Sequence, residues 1–258
     1  MSQILLRVVP SIAVIMFGVT LALQTATASS PQEQLFKAAQ DGDAADAIEA
    51  IEAGADVDSR DEDGRTALMY VARDNDKVLA ETLLKGGATV DARNGQRSTA
   101  LMLAALRNDP AMAETLLDGG ADVDARDETG WTALMHAAWN NDPAMAETLL
   151  NGGATVDARN DHGLTALMFA AGSNDPAMAR TLLDGGAYVD ARDQWGFTAL
   201  MHAARHNEDP GMVHTLLDAG ADASITVGGK TAAGHALTNN RALYSSDAYE
   251  RLQEGQSE

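Results

Sequence analysis

The fold is decided by the stretch DETGWTALMHAAWNNDPAMAETLLNGGATVDAR, which runs from Asp127 to Arg159. Gly130 permits a positive φ in a tight turn, and Thr132 stands before an apolar run as a helix N-cap. Asp142 and Pro143 form the start signal of a second helix, because proline at the first helical position lacks only an N–H that would be unpaired anyway. The stretch therefore predicts two short helices that follow a turn.

The second helix has one apolar face and a defined end. Its apolar residues recur at helical spacing as Met145, Ala146, Leu149 and Leu150, and the pair Gly152-Gly153 ends it. The predicted order is hairpin, helix, turn, helix, loop. One such unit cannot bury its apolar face alone, whereas a stack of units can.

The same stretch recurs along the chain with a step of 33 residues. Three registers keep this step, and they are occupied by the threonine of Thr-Ala-Leu, by an arginine and by a glycine. They are Thr66, Thr99, Thr132, Thr165 and Thr198; Arg60, Arg93, Arg126, Arg159 and Arg192; and Gly54, Gly87, Gly120, Gly153 and Gly186. A period of this length predicts a solenoid of about seven units.

The pattern G-x-T-A-L-M-x-A-A, followed by T-L-L-x-x-G-A-x-V-D-A-R, resembles the ankyrin repeat over residues 32–252. The resemblance implies an all-α ankyrin-repeat solenoid without catalytic function, in which hairpin tips and the exposed side of the inner helices contact a partner. Five full repeats are expected between two polar caps. The bounds are an N-cap at 35–60, repeats at 61–93, 94–126, 127–159, 160–192 and 193–226, and a C-cap at 227–252.

Two departures from the family pattern concern the turns. Asn-Asp-Pro replaces the usual Gly-His before the outer helix, so Asn108, Asn141 and Asn174 are expected to take the left-handed conformation there. Arg97 replaces the turn glycine of the second repeat, which predicts an irregular hairpin. In addition, Thr-Ala-Leu-Met replaces Thr-Pro-Leu-His, so the family's Thr–His hydrogen bond cannot form.

The N-terminal segment, residues 1–28, is typical of a signal peptide. Arg7 supplies the charge, Ile12–Leu23 the apolar core, and Ala26-Thr27-Ala28 the small residues of a cleavage site. Cleavage after Ala28 predicts an exported, bacterial periplasmic protein without a stable membrane span. An uncleaved anchor is the alternative, but the apolar run is shorter than the about 20 residues needed to cross a bilayer. A linker at 29–34 and a frayed tail at 253–258 are expected to flank the folded part.

The composition of the chain argues against several classes of function. The chain of 258 residues carries 18 basic and 38 acidic side chains, for a formal charge of −20, which argues against nucleic-acid binding. It has no cysteine, so disulfides and thiol chemistry are excluded. No nucleophile elbow, P-loop or dinucleotide motif is present. We therefore expect a monomer that is not an enzyme and uses no cofactor.

The aromatic residues give the candidate binding surface. All three tryptophans fall at variable registers that the resemblance assigns to partner contact, although packing against the next hairpin would be an alternative reason for them. The predicted partner-binding residues are Trp131, Trp139, Trp195, Phe197, Leu106, His162, Leu164, Arg205 and His206. Gly172 and Ser173 lie between Trp139 and Arg205 at matching registers, which predicts a notch walled by an aromatic ring and a cation. The favoured function is protein binding, with an inhibitor or immunity partner of an exported enzyme as one form of it, and glycan binding through tryptophan is the alternative.

Charged and sulfur-containing residues suggest weaker candidates. The arginine ladder Arg93, Arg126, Arg159 and Arg192 is a secondary candidate for an anionic partner, unless each arginine pairs locally with Asp61, Asp127 or Asp193. A metal site at His202 and His206 lacks a third ligand, so no metal is expected. The repeated Asp58, Asp91, Asp124, Asp157 and Asp190 indicate scaffold positions. Repeated methionines predict core packing, with copper binding or oxidant sensing as the alternative, at Met69, Met102, Met112, Met135, Met145, Met168, Met178, Met201 and Met212.

Overall fold

The structure, a computed structural model, describes residues 29–107, 109–140, 142–172, 175–207 and 209–255. The predicted signal peptide, Ser173 and the three turn asparagines Asn108, Asn141 and Asn174 lie outside the described residues. Within those residues the chain forms fifteen helices and no strand beyond an isolated bridge between Val227 and Lys230. The prediction of an all-α solenoid is confirmed. No described helix combines the length and apolarity required to cross a membrane.

The helices form two rows. The inner row holds the first helix of each unit: α1 Pro31–Asp41, α3 Ala67–Asp74, α5 Ala100–Arg107, α7 Ala133–Asn140, α9 Ala166–Gly172, α11 Ala199–His206 and α13 Ala232–Asn239. The outer row holds α2 Ala44–Glu52, α4 Lys77–Lys85, α6 Pro110–Asp118, α8 Pro143–Asn151, α10 Pro176–Asp184, α12 Pro210–Asp218 and α15 Asp247–Glu254, and the short α14 Arg241–Tyr244 joins the last two units. Each helix packs against its counterpart in the neighbouring unit and against its own partner. The hairpin tips and the exposed side of the inner row together are called the concave face below.

The start signals predicted from the sequence are present at the outer helices. The Asp142 carboxylate accepts hydrogen bonds from the backbone N–H of Ala144 and Met145, and Pro143 is the first residue of α8. Asp109 and Asp175 cap α6 and α10 in the same way. These caps satisfy backbone donors that an isolated helix end would leave open.

The core is built from alanine, leucine and methionine of both rows. All nine repeat methionines are 0–3% exposed, as core packing requires. Their burial supports the packing interpretation over copper binding or oxidant sensing, because both of those need an accessible thioether.

The aspartate ladder holds successive loops together. Asp124 accepts hydrogen bonds from the backbone N–H of Thr155 at 2.9 Å and from its hydroxyl at 2.5 Å. Asp58 binds Thr89 in the same manner, with 2.7 Å to the backbone N–H. The remaining members accept one backbone N–H each from the following unit: Asp91 from Asp122, Asp157 from Tyr188 and Asp190 from Asp222. These carboxylates are scaffold groups.

The arginine ladder also joins neighbouring units. Arg93 donates to the backbone carbonyl of Arg126 at 2.7 Å, and Arg159 donates to that of Arg192. Arg60 donates to the carbonyl of Arg93, and Arg126 pairs with Asp161 at 3.2 Å. Local pairing with an acidic side chain is thus present at Arg126, although with Asp161. The carboxylates of Asp61, Asp127 and Asp193 accept N–H groups of their own hairpins instead.

The ends of the stack differ from the expected bounds. Helix α1 begins at Pro31, because Ser30 and Glu33 form a capping box in which each side chain accepts the other's backbone N–H. Residues 31–34 are therefore helical, and the predicted linker at 29–34 is wrong there. Helix α15 continues to Glu254, so the expected frayed tail is still helical at its start.

The hairpin at Arg97 is regular, contrary to the sequence expectation. Arg97 itself takes the left-handed conformation, with φ of 62°, and donates its N–H to the Asn94 carbonyl as the glycines of other hairpins do. Asn94 also accepts the N–H groups of Gln96 and Ser98. The turn is thus kept at the expense of backbone strain at one arginine.

Replacing Arg97 with glycine is expected to raise the free energy of unfolding by about 1 kcal/mol. A left-handed L-residue costs about 1–2 kcal/mol, while the greater freedom of glycine in the unfolded chain cancels roughly 0.5–1 kcal/mol of the relief. The urea midpoint measures the change. Gly163→Ala is the matched control, since Gly163 has φ of 75° and its added Cβ would approach the Gln194 nitrogen to 3.0 Å; it should destabilise. An unchanged midpoint for Arg97→Gly would show that the left-handed arginine is not strained.

Candidate functional site

A cavity of about 490 Å³ opens on the concave face between α7, α9 and α11. It exists because Gly172 occupies the register that Trp139 and Arg205 fill in the neighbouring units. An added Cβ at Gly172 would meet nothing within 4 Å. The lining is mostly apolar and consists of Trp139, Leu164, Met168, Phe169, Gly172, His202 and His206.

One wall of the cavity is aromatic. The Trp139 indole is 62% exposed and meets the Phe169 ring edge-on, with 6.1 Å between centroids and 85° between planes. Trp131 lies behind them with its ring centroid 4.2 Å from that of Phe169. Trp131 therefore packs against the next unit, which was the alternative reason for its position. The Trp139 indole, in contrast, is exposed to solvent.

The opposite wall is formed by histidines. His202 holds its Nε2 at 3.0 Å from the buried carboxylate of Asp193, and His206 lies one turn further along α11 at the rim. Arg205 does not line the cavity, since its guanidinium lies over the Phe197 ring, 4.8 Å from the centroid. The notch expected from the sequence is present at Gly172, but imidazoles rather than the arginine face the indole.

The other predicted residues lie around the cavity. The Trp195 indole, 58% exposed, stacks on the His162 ring at 5.8 Å and 25° on the neighbouring hairpin tips. Leu106 is exposed on α5 and does not line the cavity. Met168, Phe169 and His202 do line it, although the sequence-based prediction left them out. The signal for two of them was present, since Phe169 and His202 share one register with His136.

The residue type at this helix register depends on the hairpin residue nine positions earlier in the chain. Where the hairpin carries aspartate, the helix carries a polar ring. Tyr70 donates to Asp61, the Nε2 of His202 lies 3.0 Å from Asp193, and that of His136 lies 3.4 Å from Asp127. Where the hairpin carries asparagine, the helix carries an apolar side chain: Asn94 with Leu103 and Asn160 with Phe169. A buried carboxylate needs a polar partner for its second oxygen, and this requirement explains the pairing. It also places an apolar Phe169 and a polar His202 in the lining of one cavity.

Burial controls the ionisation of these histidines. Burial lowers the pKa of His136 and His202 below the ordinary value, and this outweighs the opposite effect of the carboxylates of Asp127 and Asp193. Burial, followed by the nearby charge of Arg205, also lowers the pKa of His206. The imidazoles are consequently neutral at pH 7, and the walls of the cavity carry no net positive charge.

Acidification from pH 7 to pH 5 is expected to destabilise the fold, and His136→Tyr is expected to flatten that dependence. A histidine whose folded pKa lies below its unfolded value of about 6.5 contributes stability above that value, and the contribution is lost as the pH falls through the folded pKa. Tyrosine already partners aspartate at the Asp61–Tyr70 pair, so it can replace His136 without titrating in this range. Urea unfolding at several pH values measures the slope.

The exposed His162→Gln change serves as the matched control for this slope. Its wild-type-like pH dependence beside a flatter one for His136→Tyr would support the role of the buried imidazole. Equal slopes in both variants would contradict it.

Comparisons with known proteins agree with this architecture. The family model described as ankyrin repeats (3 copies) matches residues 35–127, 81–160, 119–193 and 167–244. The human ASB11 ankyrin repeat domain superposes with a TM-score of 0.74 at 24% identity, covering 86% of this chain and 96% of that one. The ankyrin repeat domain of Bcl-3, a member of the IkappaB protein family, gives 0.74 at 25% identity, covering 86% and 97%. No curated protein sequence matches the chain.

Proposed function

The chain belongs to the ankyrin-repeat family, and on that premise we propose that it is a non-catalytic module that binds another protein through its concave face. One observation carries the proposal. An apolar cavity of about 490 Å³ opens beside the exposed indole of Trp139, at a register where the scaffold needs no large side chain. Exposed apolar patches and solvent-accessible tryptophans are typical of interaction sites.

The stack supports this function because its surface is preformed. The scaffold contacts repeat in every unit, so the walls of the cavity are positioned before a partner arrives. Docking then costs less conformational entropy than the ordering of a flexible loop would. The acidic surface, at −20 for the whole chain, favours encounters with basic partners and disfavours nucleic acid.

A crosslinked pull-down from a periplasmic extract of the native host tests the proposal. The baits are wild type, Trp139→Ala and Trp195→Ala, and Tyr188→Ala is the control because its ring is 62% exposed but lies outside the cavity lining. Trp131 is left intact, since it packs on Phe169 and its loss would disturb the fold. Circular dichroism confirms that all baits keep the same helicity.

A protein captured by wild type and Tyr188→Ala, but lost with Trp139→Ala, is the expected result. Equal capture by all four baits would place the binding site elsewhere on the stack. Capture of no specific protein by any bait would contradict protein binding in this compartment.

We propose further that the protein acts as a monomer in the bacterial periplasm, after removal of residues 1–28. The Ser30–Glu33 capping box supports this proposal, because helix α1 is capped by residues that remain after cleavage at Ala28. Mass spectrometry of the protein purified from periplasm is expected to find Ser29 at the N-terminus. A mass that includes residues 1–28, in the membrane fraction, would contradict cleavage.

The inhibitor or immunity role is a finer form of the same proposal. It applies if the captured partner is an exported enzyme, since a module that fills its cavity with a partner side chain can also cover that partner's active site. The decisive measurement is the partner's activity as the module is added. Inhibition by wild type and not by Trp139→Ala is expected; unchanged activity in the complex would make the module a scaffold.

Glycan binding is the second candidate, and the exposed indoles of Trp139 and Trp195 favour it. Aromatic faces stack on sugar rings, as they do on other flat or apolar ligands. Titration with soluble cell-wall fragments would quench tryptophan fluorescence if sugars stack on these indoles. An unchanged spectrum up to millimolar fragment would exclude this candidate.

A further inference from the structure

Arg205 has no carboxylate partner among the described residues, although the chain is strongly acidic. Its Nε is buried and has no hydrogen-bond partner in the part of the chain that the structure describes. Its guanidinium lies over the Phe197 ring at 4.8 Å from the centroid. The buried Nε loses its hydration, and the charge has no counterion among the described residues, so an anion at the terminal N–H groups of this guanidinium would be stabilised.

Four further titratable side chains lie near Arg205. The Phe197 ring under its guanidinium also meets the rings of His202 and His235, with 5.9 Å and 5.0 Å between centroids. The charge of Arg205 contributes to the lowered pKa of both imidazoles and of the adjacent His206. Lys230 lowers the pKa of His235 in the same way. These five residues, His202, Arg205, His206, Lys230 and His235, are called the basic cluster below, and at pH 7 its positive charge lies on Arg205 and Lys230 because the imidazoles are neutral.

The carboxylate next to the basic cluster is already occupied. The Asp193 side chain is fully buried and accepts hydrogen bonds from the backbone N–H of Trp195 and Phe197, both at 2.9 Å, as well as facing His202. The Asp193 carboxylate therefore accepts hydrogen bonds from its own hairpin and pairs with His202. The charge of Arg205 is left without a counterion among the described residues.

We propose that the cavity and Arg205 together recognise a partner segment in which a large apolar side chain stands beside a single carboxylate. This inference rests on the proposed function and specifies the chemistry of the partner. The apolar side chain would enter the cavity between Trp139 and His206, and the carboxylate would accept hydrogen bonds from the terminal N–H groups of Arg205. Arginine binds carboxylates through two parallel N–H groups, which adds directional specificity to the apolar anchor.

The charge of the whole chain limits the segment to one carboxylate. The basic cluster is local, whereas 38 acidic side chains against 18 basic ones are spread over the protein. A run of several acidic residues would extend beyond the cluster and be opposed by the net negative charge of the chain. A single acidic residue next to an apolar one meets only the cluster.

The proposal predicts a pH dependence with a definite sign. His202 lies 3.0 Å from Asp193, the charge of Arg205 acts on His202, His206 and His235, and that of Lys230 acts on His235. A bound carboxylate favours the charged imidazoles, so binding takes up protons. Affinity should therefore rise as the pH falls from 7.5 to 5.5.

A random heptapeptide library displayed on phage tests the inference with the mature chain as bait. Phage that also bind Trp139→Ala are removed first, so the survivors depend on the cavity. A recovered peptide is then synthesised with its acidic residue and with the matching amide, and its affinity is measured by fluorescence anisotropy. The protein variants are Arg205→Gln, Arg205→Lys, which keeps the charge, and the control Tyr188→Ala.

Recovered peptides are expected to carry Asp or Glu within two positions of a large apolar residue. The acidic peptide should bind at least tenfold tighter than its amide at pH 6.0, and Arg205→Gln should abolish that difference while Arg205→Lys retains part of it. Enrichment of peptides without an acidic residue, an equal preference in Arg205→Gln, or no enrichment at all would overturn the inference. The proposed function would still stand if Trp139→Ala loses the captured protein while Arg205→Gln retains it.

Discussion

An Asp193→Ala variant is expected to unfold with a free energy about 3 kcal/mol below that of wild type, because the buried carboxylate accepts two backbone N–H groups of its hairpin and faces the Nε2 of His202 at 3.0 Å. Alanine leaves all three donors without an acceptor, at about 1 kcal/mol or more for each. Urea unfolding at pH 7.5 measures the loss, and circular dichroism checks that the variant remains folded.

The chain itself supplies the matched rescue for this change. At the equivalent positions, Asn160 accepts the N–H groups of His162 and Leu164 with its amide oxygen, and the helix carries Phe169 instead of histidine. Asp193→Asn combined with His202→Phe copies that pair, so the double variant should regain most of the lost stability. The free energy of unfolding of Asp193→Asn alone should lie between those of Asp193→Ala and the double variant, because the hairpin is kept while His202 loses its carboxylate.

The comparison of these variants separates two explanations for the alternating pairs. If the carboxylate and the ring stabilise each other, the double variant is more stable than the sum of its single changes predicts. Additive losses would mean that the alternation of aspartate and asparagine has no energetic basis in this contact.

The periodic part of the fold was predictable because its determinants are local. Asp142 followed by Pro143 specifies a helix start, because the carboxylate accepts N–H groups of the adjacent first turn, and the paired glycines specify the helix end. The 33-residue repeat therefore places similar start and end signals in each unit. The methionines follow from the same helical spacing. The short helix α14 was missed, since four residues are too few for a periodic signal.

The contacts between units were not predictable in the same way. Arg159 donates to a backbone carbonyl 33 residues ahead, and no side-chain pattern marks a carbonyl as a partner. The sequence therefore suggested aspartates or a bound anion for the arginine ladder. The Ser30–Glu33 capping box, in contrast, was predictable from residue types. The sequence-based prediction instead began the N-terminal cap unit at Leu35, the first apolar repeat position.

The sequence predicted where the candidate site lies but not which side chains line it. The empty register at Gly172 beside Trp139 indicates a notch, because a missing side chain in a regular array leaves space. The direction of a flexible side chain does not follow from its register. Arg205 turns onto Phe197, where the ring face attracts the guanidinium, and His202 and His206 line the wall instead.

Leu149→Ala and Leu252→Ala are expected to differ in the extent of unfolding, although both remove a fully buried leucine. Either change costs about 3–5 kcal/mol where it acts. In a solenoid each unit contacts only its neighbours, so a defect in the central helix α8 weakens interfaces on both sides, while a defect in α15 weakens the last unit alone. Leu149→Ala should therefore lower the global urea midpoint far more.

Hydrogen exchange read by mass spectrometry distinguishes the two variants along the chain. Leu252→Ala should lose protection in residues 232–255 and keep it in α7, α9 and α11, so its affinity for the captured partner should stay within about twofold of wild type. Leu149→Ala should lose protection across the helices that flank the cavity and bind more weakly. Equal midpoints and a uniform loss of protection in both would mean that the stack unfolds as one cooperative body, and the site could not then be separated from the stability of its C-terminal cap.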